Sequence, residues 1–302
     1  MRGEDDSVGS AYGDLHVHSS ASDGTQTVSE LALEARASGV GILALTDHDA
    51  VPPEILDRWS RLDGVGLLAG VEVKVSFHGV HGELLGYGID PRHASLRVLL
   101  EARQEERRER LLAMRALCAQ HLELDPETED GERLTGSQTM SLGRPHLARW
   151  LAARGAVATE REAFDLYIGK GRPCHIPLSR PQAGEVAEVL REAGGVIALA
   201  HPCLMRVPDW RSFLGRLRDA GVDAIEAFYP YLHAHTDLTI DPAQMHALAE
   251  DAGFLLTGGS DHHGPGSARD TLGEVRVLPR HVAALLRACG VGGGDHGRGG
   301  LP

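Results

Sequence analysis

Short apolar segments with the pattern of β-strands alternate with helical segments along most of this 302-residue chain. Segments of the first kind include "YGDLHVH", "VGILALTDHD", "VGLLAGVEVKVSF", "HGELLGYGID", "GGVIALAHP", "VDAIEAFYP" and "GFLLTGGSDHH". One of the second kind, "TVSELALEARASG", has Thr27 and Glu30 in the spacing of a capping box, and Gly39 follows as a stop signal. This alternation favours a parallel α/β fold.

The first strand-like segment carries two histidines one residue apart, in "DLHVHSSASDG". A strand turns alternate side chains to the same face, so His16 and His18 should point together while Leu15 and Val17 pack on the other face. Asp23 follows in a run of small polar residues. Two imidazoles that converge from one strand end can bind one metal ion, provided that the rest of the chain supplies further ligands.

Histidine and acidic residues also follow four other strand-like segments: Asp47, His48 and Asp49; Glu72; His201; and Asp261, His262 and His263. The segment "HGVHGE" adds His78, His81 and Glu83. The carboxyl ends of the strands in an α/β barrel meet at one mouth, so these groups should lie together. Oxygen and nitrogen ligands of this kind suit manganese, iron or zinc better than a metal that prefers thiolates.

Each of these residues also has a structural interpretation. A single histidine at a strand end can be a hydrogen-bonded core residue. Asp49 could cap a helix, and Asp47 could orient His48 instead of binding metal. Five strand ends that all finish in such residues nevertheless favour a metal centre, because water would otherwise have to solvate the clustered charge.

The middle of the chain differs from the rest, because residues 95–172 are charged and helical in pattern. The run Arg103 to Arg110 interleaves bases with acids, which indicates a solvated helix face. The first dozen residues and the end of the chain are Gly-rich and polar, so we predict a disordered N-terminus at 1–12 and a Gly-rich flexible tail at 291–302. Between them we predict a metal-binding barrel from 13–94 and 173–290, with 95–172 inserted as a helical substrate lobe.

Composition excludes several classes of function. The formal net charge of −13 argues against broad adhesion to duplex DNA or to anionic membranes. It does not exclude a phosphorylated substrate, because bound divalent cations can reverse the local sign of the charge. The four cysteines are far apart in sequence, so neither a disulfide framework nor a zinc-thiolate site is expected. No long apolar run or signal peptide is evident, which predicts a soluble, cytoplasmic protein.

Six motifs in order, "DLHVHSSASDG", "LALTDHD", "GVE", "LGYGID", "LAHP" and "GSDHHG", resemble those of the PHP (polymerase and histidinol phosphatase) superfamily. The resemblance extends from about residue 13 to 290. The insert "GRPHLARWLAARGAVATEREAFDLYIGKGRPCHIP" is similar to that of TrpH-like phosphoesterases, a subgroup that includes nucleoside 3′,5′-bisphosphate phosphatases and 5′-to-3′ exoribonucleases.

The resemblance implies a distorted (β/α)7 barrel of PHP type that holds three divalent metal ions. Mn²⁺ is expected first, with Zn²⁺, Fe²⁺ or Mg²⁺ as alternatives. By motif, the first metal would be surrounded by His16, His18, Glu72 and Asp261. Glu72 would bridge to a second metal that His201 also holds, and the third would be bound by Asp23, His48 and His263.

One ligand position departs from the family pattern. The family places a histidine just before the hydrophobic pair of the "LGY" motif, where this sequence has Glu83. His81 lies two residues earlier and on the same side of a strand. Alignment favours Glu83 as a ligand of the second metal, and His81 is the alternative, which a β-bulge could bring into register.

The resemblance implies phosphate-ester hydrolysis by a metal-activated hydroxide. His201 or a neighbouring imidazole such as His263 would assist the leaving oxygen. In the insert, "GRPH" places Arg144 and His146 at a helix start, a natural anion site, and "GKGRP" places Lys170 and Arg172 between glycines. We expect these four residues to bind substrate phosphate, with Arg144 also contributing to catalysis.

The expected substrate is the 3′-phosphate of a nucleoside 3′,5′-bisphosphate, short 5′-phosphorylated RNA, or both. An amidohydrolase-type barrel is one alternative, although neither Lys74 nor Lys170 is placed like the carboxylated lysine of such enzymes. A metal-stabilised module that binds nucleotides without catalysis is another. We expect no duplex DNA and no membrane as partners, and the sequence does not indicate an oligomeric state.

Overall fold

The computed structural model describes residues 10–124, 139–231 and 238–291. Most of the two ends predicted to be disordered, residues 1–9 and 292–302, lie outside these described residues, as does part of the predicted lobe, 125–138. Within the described ranges, no helix is both long enough and apolar enough to cross a bilayer.

The strands of the described chain are β1 (Gly13–Val17), β2 (Ile42–Leu45), β3 (Trp59–Leu62), β4 (Val65–Phe77), β5 (Val80–Tyr87), β6 (Val196–Leu199), β7 (Ala224–Phe228) and β8 (Leu255–Gly258). Seven of them form one sheet in the order β1-β2-β4-β5-β6-β7-β8, and β3 pairs with β4 outside this path. A bridge between Val17 and His262, just past β8, returns the sheet to β1. The predicted distorted (β/α)7 barrel is confirmed.

The barrel is not wholly parallel, contrary to the expectation from the alternating pattern. β5 runs antiparallel to both β4 and β6, whereas the other neighbouring pairs along the barrel path are parallel. Phe77 pairs with Val80, so only His78 and Gly79 connect β4 to β5, and both have positive φ values of 49° and 94°. A two-residue connection can join only antiparallel strands, because a parallel pair needs a long crossover.

The helices are α1 (Val28–Ala37), α2 (Ala94–His121), α3 (Arg144–Ala153), α4 (Glu160–Ala163), α5 (Ala183–Glu192), α6 (Trp210–Asp219), α7 (Pro242–Asp251) and α8 (Pro279–Ala288). The predicted capping box begins α1: the Thr27 side chain accepts from Glu30 N, and Glu30 Oε2 accepts from Thr27 N at 2.8 Å. Gly39, with φ of 74°, follows the end of α1 as predicted.

Both faces of the barrel strands are buried. Leu43 and Leu45 of β2 belong to a core shared with α1, α5, α6 and α7, and Ile42 and Ala44 belong to a second core that α8 completes. Strands covered on both faces are typical of α/β barrels. The two cores hold the strand ends, and therefore the histidines and acids that follow them, in fixed positions.

The predicted insert contains α2, α3, α4 and a π-helical turn at Phe164–Ile168. Its described residues share a separate hydrophobic core that includes Leu111, Met114, Leu147, Leu151 and Ile168. The first turns of α2 instead pack on the barrel, where Leu96 and Leu100 join the core around α5. One 28-residue helix thus connects the barrel to the lobe.

The prediction of a solvated face for Arg103–Arg110 is wrong for two of its arginines. Arg103 and Arg107 are 5% and 3% exposed, and both face the carboxylate of Asp49. Arg107 Nε lies 2.5 Å from Asp49 Oδ2, and Arg103 Nε lies 3.7 Å from Oδ1. Residues four apart share a helix face, and this face of α2 packs against the barrel. Asp49, directly after His48, is therefore an ion-pair partner and not a helix cap.

Substitution of Arg107 by alanine should destabilise the protein by about 3–5 kcal/mol, because it leaves the fully buried Asp49 carboxylate without its closest partner. Urea denaturation followed by circular dichroism measures this. Arg108→Ala is the matched control on the same helix: its guanidinium is more than half exposed, so a change of no more than about 0.5 kcal/mol is expected. Equal midpoints for the two variants would contradict the prediction.

Candidate metal centre

β1 brings His16 and His18 together as predicted. Both rings are fully buried, and their Nε2 atoms lie 3.2 Å apart. Leu15 and Val17, however, pack in different cores, contrary to prediction, because the register of β1 with β2 shifts between Asp14 and Val17. Such an irregularity re-aims side chains locally, and here it lies at the strand that carries both histidines.

Glu72 of β4 and Asp261, three residues after β8, complete a buried group of four around these histidines. His18 Nε2 lies 3.1 Å from Asp261 Oδ1 and 3.4 Å from Glu72 Oε2. His16 Nε2 lies 3.4 Å and 3.6 Å from the same two oxygens. Ligands bonded tetrahedrally to a metal at 2.0–2.2 Å are separated from each other by about 3.4 Å. The spacing of the four side chains therefore fits a single cation between them.

A second group lies on the other side of His18. Asp23, His48 and His263 can each offer, together with His18, one atom within 4.8 Å of the others. His263 Nε2 lies 3.4 Å from Asp23 Oδ1, and His48 Nε2 lies 3.9 Å from Asp23 Oδ2. The residues predicted for the third metal thus do come together, although they follow three different strands.

Glu72 also faces His201, predicted for the second metal, and His48, predicted for the third. Its Oε1 lies 3.1 Å from His201 Nε2, and its Oε2 lies 2.8 Å from His48 Nδ1. Glu83 forms a group with His48 and Glu72 within 4.8 Å, whereas His81 is exposed and belongs to none of the described groups. Because β5 is antiparallel, its first half runs beside the last half of β4, and this brings Glu83 to the mouth.

Four polar atoms at the centre of these groups are buried and, despite short distances such as 2.8 Å between His48 Nδ1 and Glu72 Oε2, make no hydrogen bond of acceptable geometry within the described residues: His18 Nδ1, His48 Nδ1, Glu72 Oε2 and Asp261 Oδ1. A buried polar atom without a partner is costly, and four in one place require compensation. All four are electron-pair donors of the kind that divalent cations bind. The donor set therefore fits bound divalent metal.

The two histidines of β1 differ in their affinity for protons. Burial opposes a charge on His16, but Glu226, Asp261 and Glu72 together raise its pKa well above the ordinary value of 6.5. Burial and the neighbouring imidazoles lower the pKa of His18 to about 3. Without metal, His16 holds an extra proton at neutral pH and His18 does not.

Metal binding should therefore release protons. His16 is protonated below its raised pKa, and a cation that binds its Nε2 must displace a proton, so affinity should increase as pH rises from about 6.5 towards that pKa. The slope is roughly tenfold per pH unit for each proton released. Calorimetric titration with MnCl₂, in buffers with different ionisation enthalpies, counts the protons. Affinity that does not depend on pH, with no dependence of the heat on buffer, would contradict this.

Three non-glycine residues near the centre have left-handed backbone conformations. Asp49, His201 and Asp261 have φ values of 49°, 27° and 54°. L-residues occupy this region at an energetic cost, and such residues persist where the surrounding structure holds them. Two of the three are predicted metal ligands, so the fold holds their side chains in place against a local backbone preference.

Sequence reasoning missed several residues that contact the proposed ligands. Glu226 of β7 is fully buried against His16, with Oε1 2.8 Å from His16 Nδ1. Tyr229 donates from its hydroxyl to Asp261 Oδ2 at 2.9 Å, and Arg269 pairs with the same oxygen. The signal for Glu226 was present, because "VDAIEAF" has one acid within an otherwise apolar strand. Arg269 carried no comparable signal.

Asp47, left open as an orienting group for His48, has a different role. It is fully buried and accepts four hydrogen bonds, from the backbone N–H and the hydroxyl of both Ser19 and Ser22. These bonds hold the loop between His18 and Asp23. Asp47 therefore holds the loop that carries the proposed ligands His18 and Asp23, which follows the neighbouring strand β1. It does not orient His48.

The residues predicted to bind substrate phosphate differ in burial and in their surroundings. Arg144 is partly buried at the start of α3, and a Cβ on Gly143 would lie 3.4 Å from Asp23 Oδ2, so this helix N-terminus adjoins the centre. His146 is mostly buried, and its Nδ1 accepts the Gly143 N–H at 3.0 Å, so the ring caps its own helix. Lys170 and Arg172 are exposed on the lobe.

Comparison with known proteins agrees with this architecture. The PHP domain model matches residues 14–134. The chain is 33% identical over 276 residues to the 3′,5′-nucleoside bisphosphate phosphatase of Chromobacterium violaceum, covering 88% of this chain and 92% of that protein. It is 29% identical over 258 residues to a 5′-3′ exoribonuclease of Haemophilus influenzae, covering 83% and 90%.

A solved structure from Bifidobacterium adolescentis, described as a metal-dependent phosphoesterase, superimposes with a TM-score of 0.77. It is 27% identical, and the match covers 91% of this chain and 96% of that one. Coverage of 91% exceeds what the predicted barrel segments alone make up, so the likeness extends into the inserted segment. With its buried set of imidazoles and carboxylates, the chain belongs to the PHP domain family and is a metal-dependent phosphoesterase, a hydrolase of phosphoric esters.

Proposed function

We propose that this phosphoesterase removes the 3′-phosphate of nucleoside 3′,5′-bisphosphates, or shortens RNA that carries a 5′-phosphate. The observation that carries the proposal is a group of cations from the lobe and the adjoining strand connection, placed beside the metal-ligand cluster. Two anion-binding regions at one mouth suit a substrate with two phosphates. The activities named for the relatives, a bisphosphate phosphatase and exoribonucleases, agree with a substrate of this kind.

The cation group is larger than the sequence indicated. Arg110 belongs to it, since its Nε donates to Ile176 O at 2.7 Å, next to His175. Burial lowers the pKa of His175, and the charges of Arg144, Arg110 and Lys170 lower it further, so these three cations lie around a neutral imidazole. Burial lowers the pKa of Arg144, and the negative charges of Glu83 and Asp23 in the metal-ligand cluster oppose this effect. We assign Arg144 to the boundary between the two regions, where it can contact a phosphate that the cluster does not hold.

The proposed metal ligands are those of the three groups described above: His16, His18, Asp23, His48, Glu72, Glu83, His201, Asp261 and His263. The family resemblance implies three bound cations, with Mn²⁺ expected first. Such cations would supply a hydroxide nucleophile and neutralise charge on the phosphoryl oxygens. The roles of His201 and His263 in protonating the leaving oxygen stay predictions. Each has its Nε2 beside a carboxylate oxygen, at 3.1 Å and 3.4 Å, a placement that suits a metal ligand better than a free acid.

A phosphate-release screen with Mn²⁺ tests the substrate. It compares an adenosine 3′,5′-bisphosphate, the corresponding 3′- and 5′-monophosphates, a short 5′-phosphorylated RNA and histidinol phosphate. The proposal expects kcat/KM for the bisphosphate or the RNA to exceed that for either monophosphate. Equal values for all of them, or a preference for histidinol phosphate, would reject it while leaving the phosphoesterase class intact.

The amidohydrolase alternative depends on a neutral lysine amine that can be carboxylated. Lys74 is the lysine beside the centre, and its Nζ lies 2.6 Å from Glu83 Oε1. Its amine is therefore taken up by an ion pair with a carboxylate of the proposed ligand set, an arrangement unlike that of a carboxylated lysine that bridges two metals. Hydrolysis of a dihydropyrimidine amide by the metal-loaded protein would favour the alternative.

A further inference from the structure

Glu226 lies in the middle of β7 and is fully buried, yet it is none of the proposed metal ligands. Its Oε1 is 2.8 Å from His16 Nδ1, and its Oε2 accepts the backbone N–H of His201 at 2.6 Å. It thus touches two proposed ligands that follow different strands. We propose that Glu226 is a positioning residue that fixes the ring state of His16 and the backbone of His201. This inference rests on the proposed metal-binding role of those two histidines.

The contacts assign the proton of His16. A carboxylate only accepts hydrogen bonds, and Oε2 is already occupied by a backbone N–H that can only donate. Oε1 therefore requires a donor, and the atom that faces it is Nδ1 of His16. With the proton on Nδ1, a neutral His16 ring keeps its lone pair on Nε2, which points into the ligand group. When metal displaces the second proton of His16, the proton on Nδ1 stays with Glu226 and the ring is oriented to bind through Nε2.

The second contact holds a costly backbone conformation. His201 has φ of 27° and ψ of 57°, and it lies between the end of β6 and the turn at Pro202–Leu204. A non-glycine residue keeps such angles where neighbouring groups outweigh the local preference, and the N–H bonded to Glu226 belongs to this residue. One carboxylate on β7 therefore connects the ligand of β1 with the ligand that follows β6.

Glu226→Gln is the sharpest variant, because it keeps the shape of the side chain but makes one of its two acceptors a donor. An amide cannot accept from both His201 N–H and His16 Nδ1, so one contact must be lost or the ring must move its proton to Nε2. Calorimetric titration of metal-free protein with MnCl₂ should show about 10–100-fold weaker binding. Glu188→Gln, exposed on α5, is the matched control and should bind as the wild type does.

Activity separates positioning from collapse of the fold. At saturating Mn²⁺, kcat of Glu226→Gln should recover to within a few-fold of wild type, while the Mn²⁺ concentration for half-maximal rate shifts by the same factor as the affinity. Glu226→Asp, which keeps two acceptors on a shorter side chain, should give an intermediate affinity. Unchanged Mn²⁺ affinity in a folded Glu226→Gln protein would overturn the proposal.

A spectroscopic measurement on the wild-type protein tests the inference even if the Glu226 variants do not fold. In Zn²⁺-loaded protein, long-range ¹H–¹⁵N correlation of the histidine rings should show a proton on Nδ1 of His16 and metal on Nε2. Metal on Nδ1 would overturn the inference. Success here, together with no preference for bisphosphates or RNA in the phosphate-release screen, would show that the proposed substrate fails while the positioning role stands.

Discussion

Glu72→Gln is expected to lower kcat/KM for any phosphate ester by about 10³-fold or more, the largest loss among the substitutions considered. Glu72 is shared by the first and second proposed metal positions, and it also contacts His48 of the third. Its Oε2 lies 3.4 Å from His18 Nε2 and 2.8 Å from His48 Nδ1, and its Oε1 lies 3.1 Å from His201 Nε2. A neutral amide keeps the size of the side chain but removes the charge and one of the two oxygen ligands.

Two measurements are needed for this variant. Phosphate release gives the rate, and elemental analysis of the purified protein gives the bound metal, which should fall by at least one equivalent. Glu54→Gln, an exposed residue, is the control and should change neither. Wild-type metal content with a wild-type rate in Glu72→Gln would show that this carboxylate does not hold the catalytic metals.

Arg144→Ala is expected to raise KM for a nucleoside 3′,5′-bisphosphate by about 100-fold, while KM for a 3′-monophosphate changes only a few-fold. The reason is that a charge-assisted contact to a second phosphate contributes roughly 2–3 kcal/mol, and only the bisphosphate has that phosphate. Arg144 is partly buried, at a helix start beside Asp23, so its guanidinium is held near the centre.

The control for Arg144→Ala is Arg161→Ala in the same lobe. The Arg161 side chain is 90% exposed, so KM should not change for either substrate. Steady-state kinetics with both substrates give the comparison. Equal increases in KM for the bisphosphate and the monophosphate would mean that Arg144 contacts the reacting phosphate. No increase for either would remove it from the substrate site.

The sequence indicated which side chains come together, because the proposed ligands lie in or just after recognisable apolar strands. His16, His18, Glu72 and Asp261 were grouped from the strand pattern, and the structure places the imidazoles of this group 3.1–3.6 Å from its carboxylates. Alternation along β1 was enough to pair the two histidines. It was not enough to place Leu15 and Val17, since a register shift in β1 is invisible in a hydrophobic pattern.

The sequence pattern gave a wrong prediction for charged residues that are buried in ion pairs. Arg103 and Arg107 look solvated in a run of alternating charges, but Asp49 compensates both of them inside the protein. Periodicity shows which residues share a helix face and cannot show what that face meets. The reversed direction of β5 escaped prediction for a similar reason, because a short connection such as His78–Gly79 determines strand direction without changing the apolar pattern.

Local order along the chain determined the fold class and the chemical type of the site: apolar strands of an α/β barrel, each finishing in nitrogen or oxygen ligands. Only the tertiary structure decided between Glu83 and His81 as the side chain near the cluster, revealed Glu226 behind His16, and gathered the cations around Arg144. The physical reason is that ligand type is a property of single residues. Distance between side chains from separate strands instead depends on register, strand direction and packing, which short-range patterns do not encode.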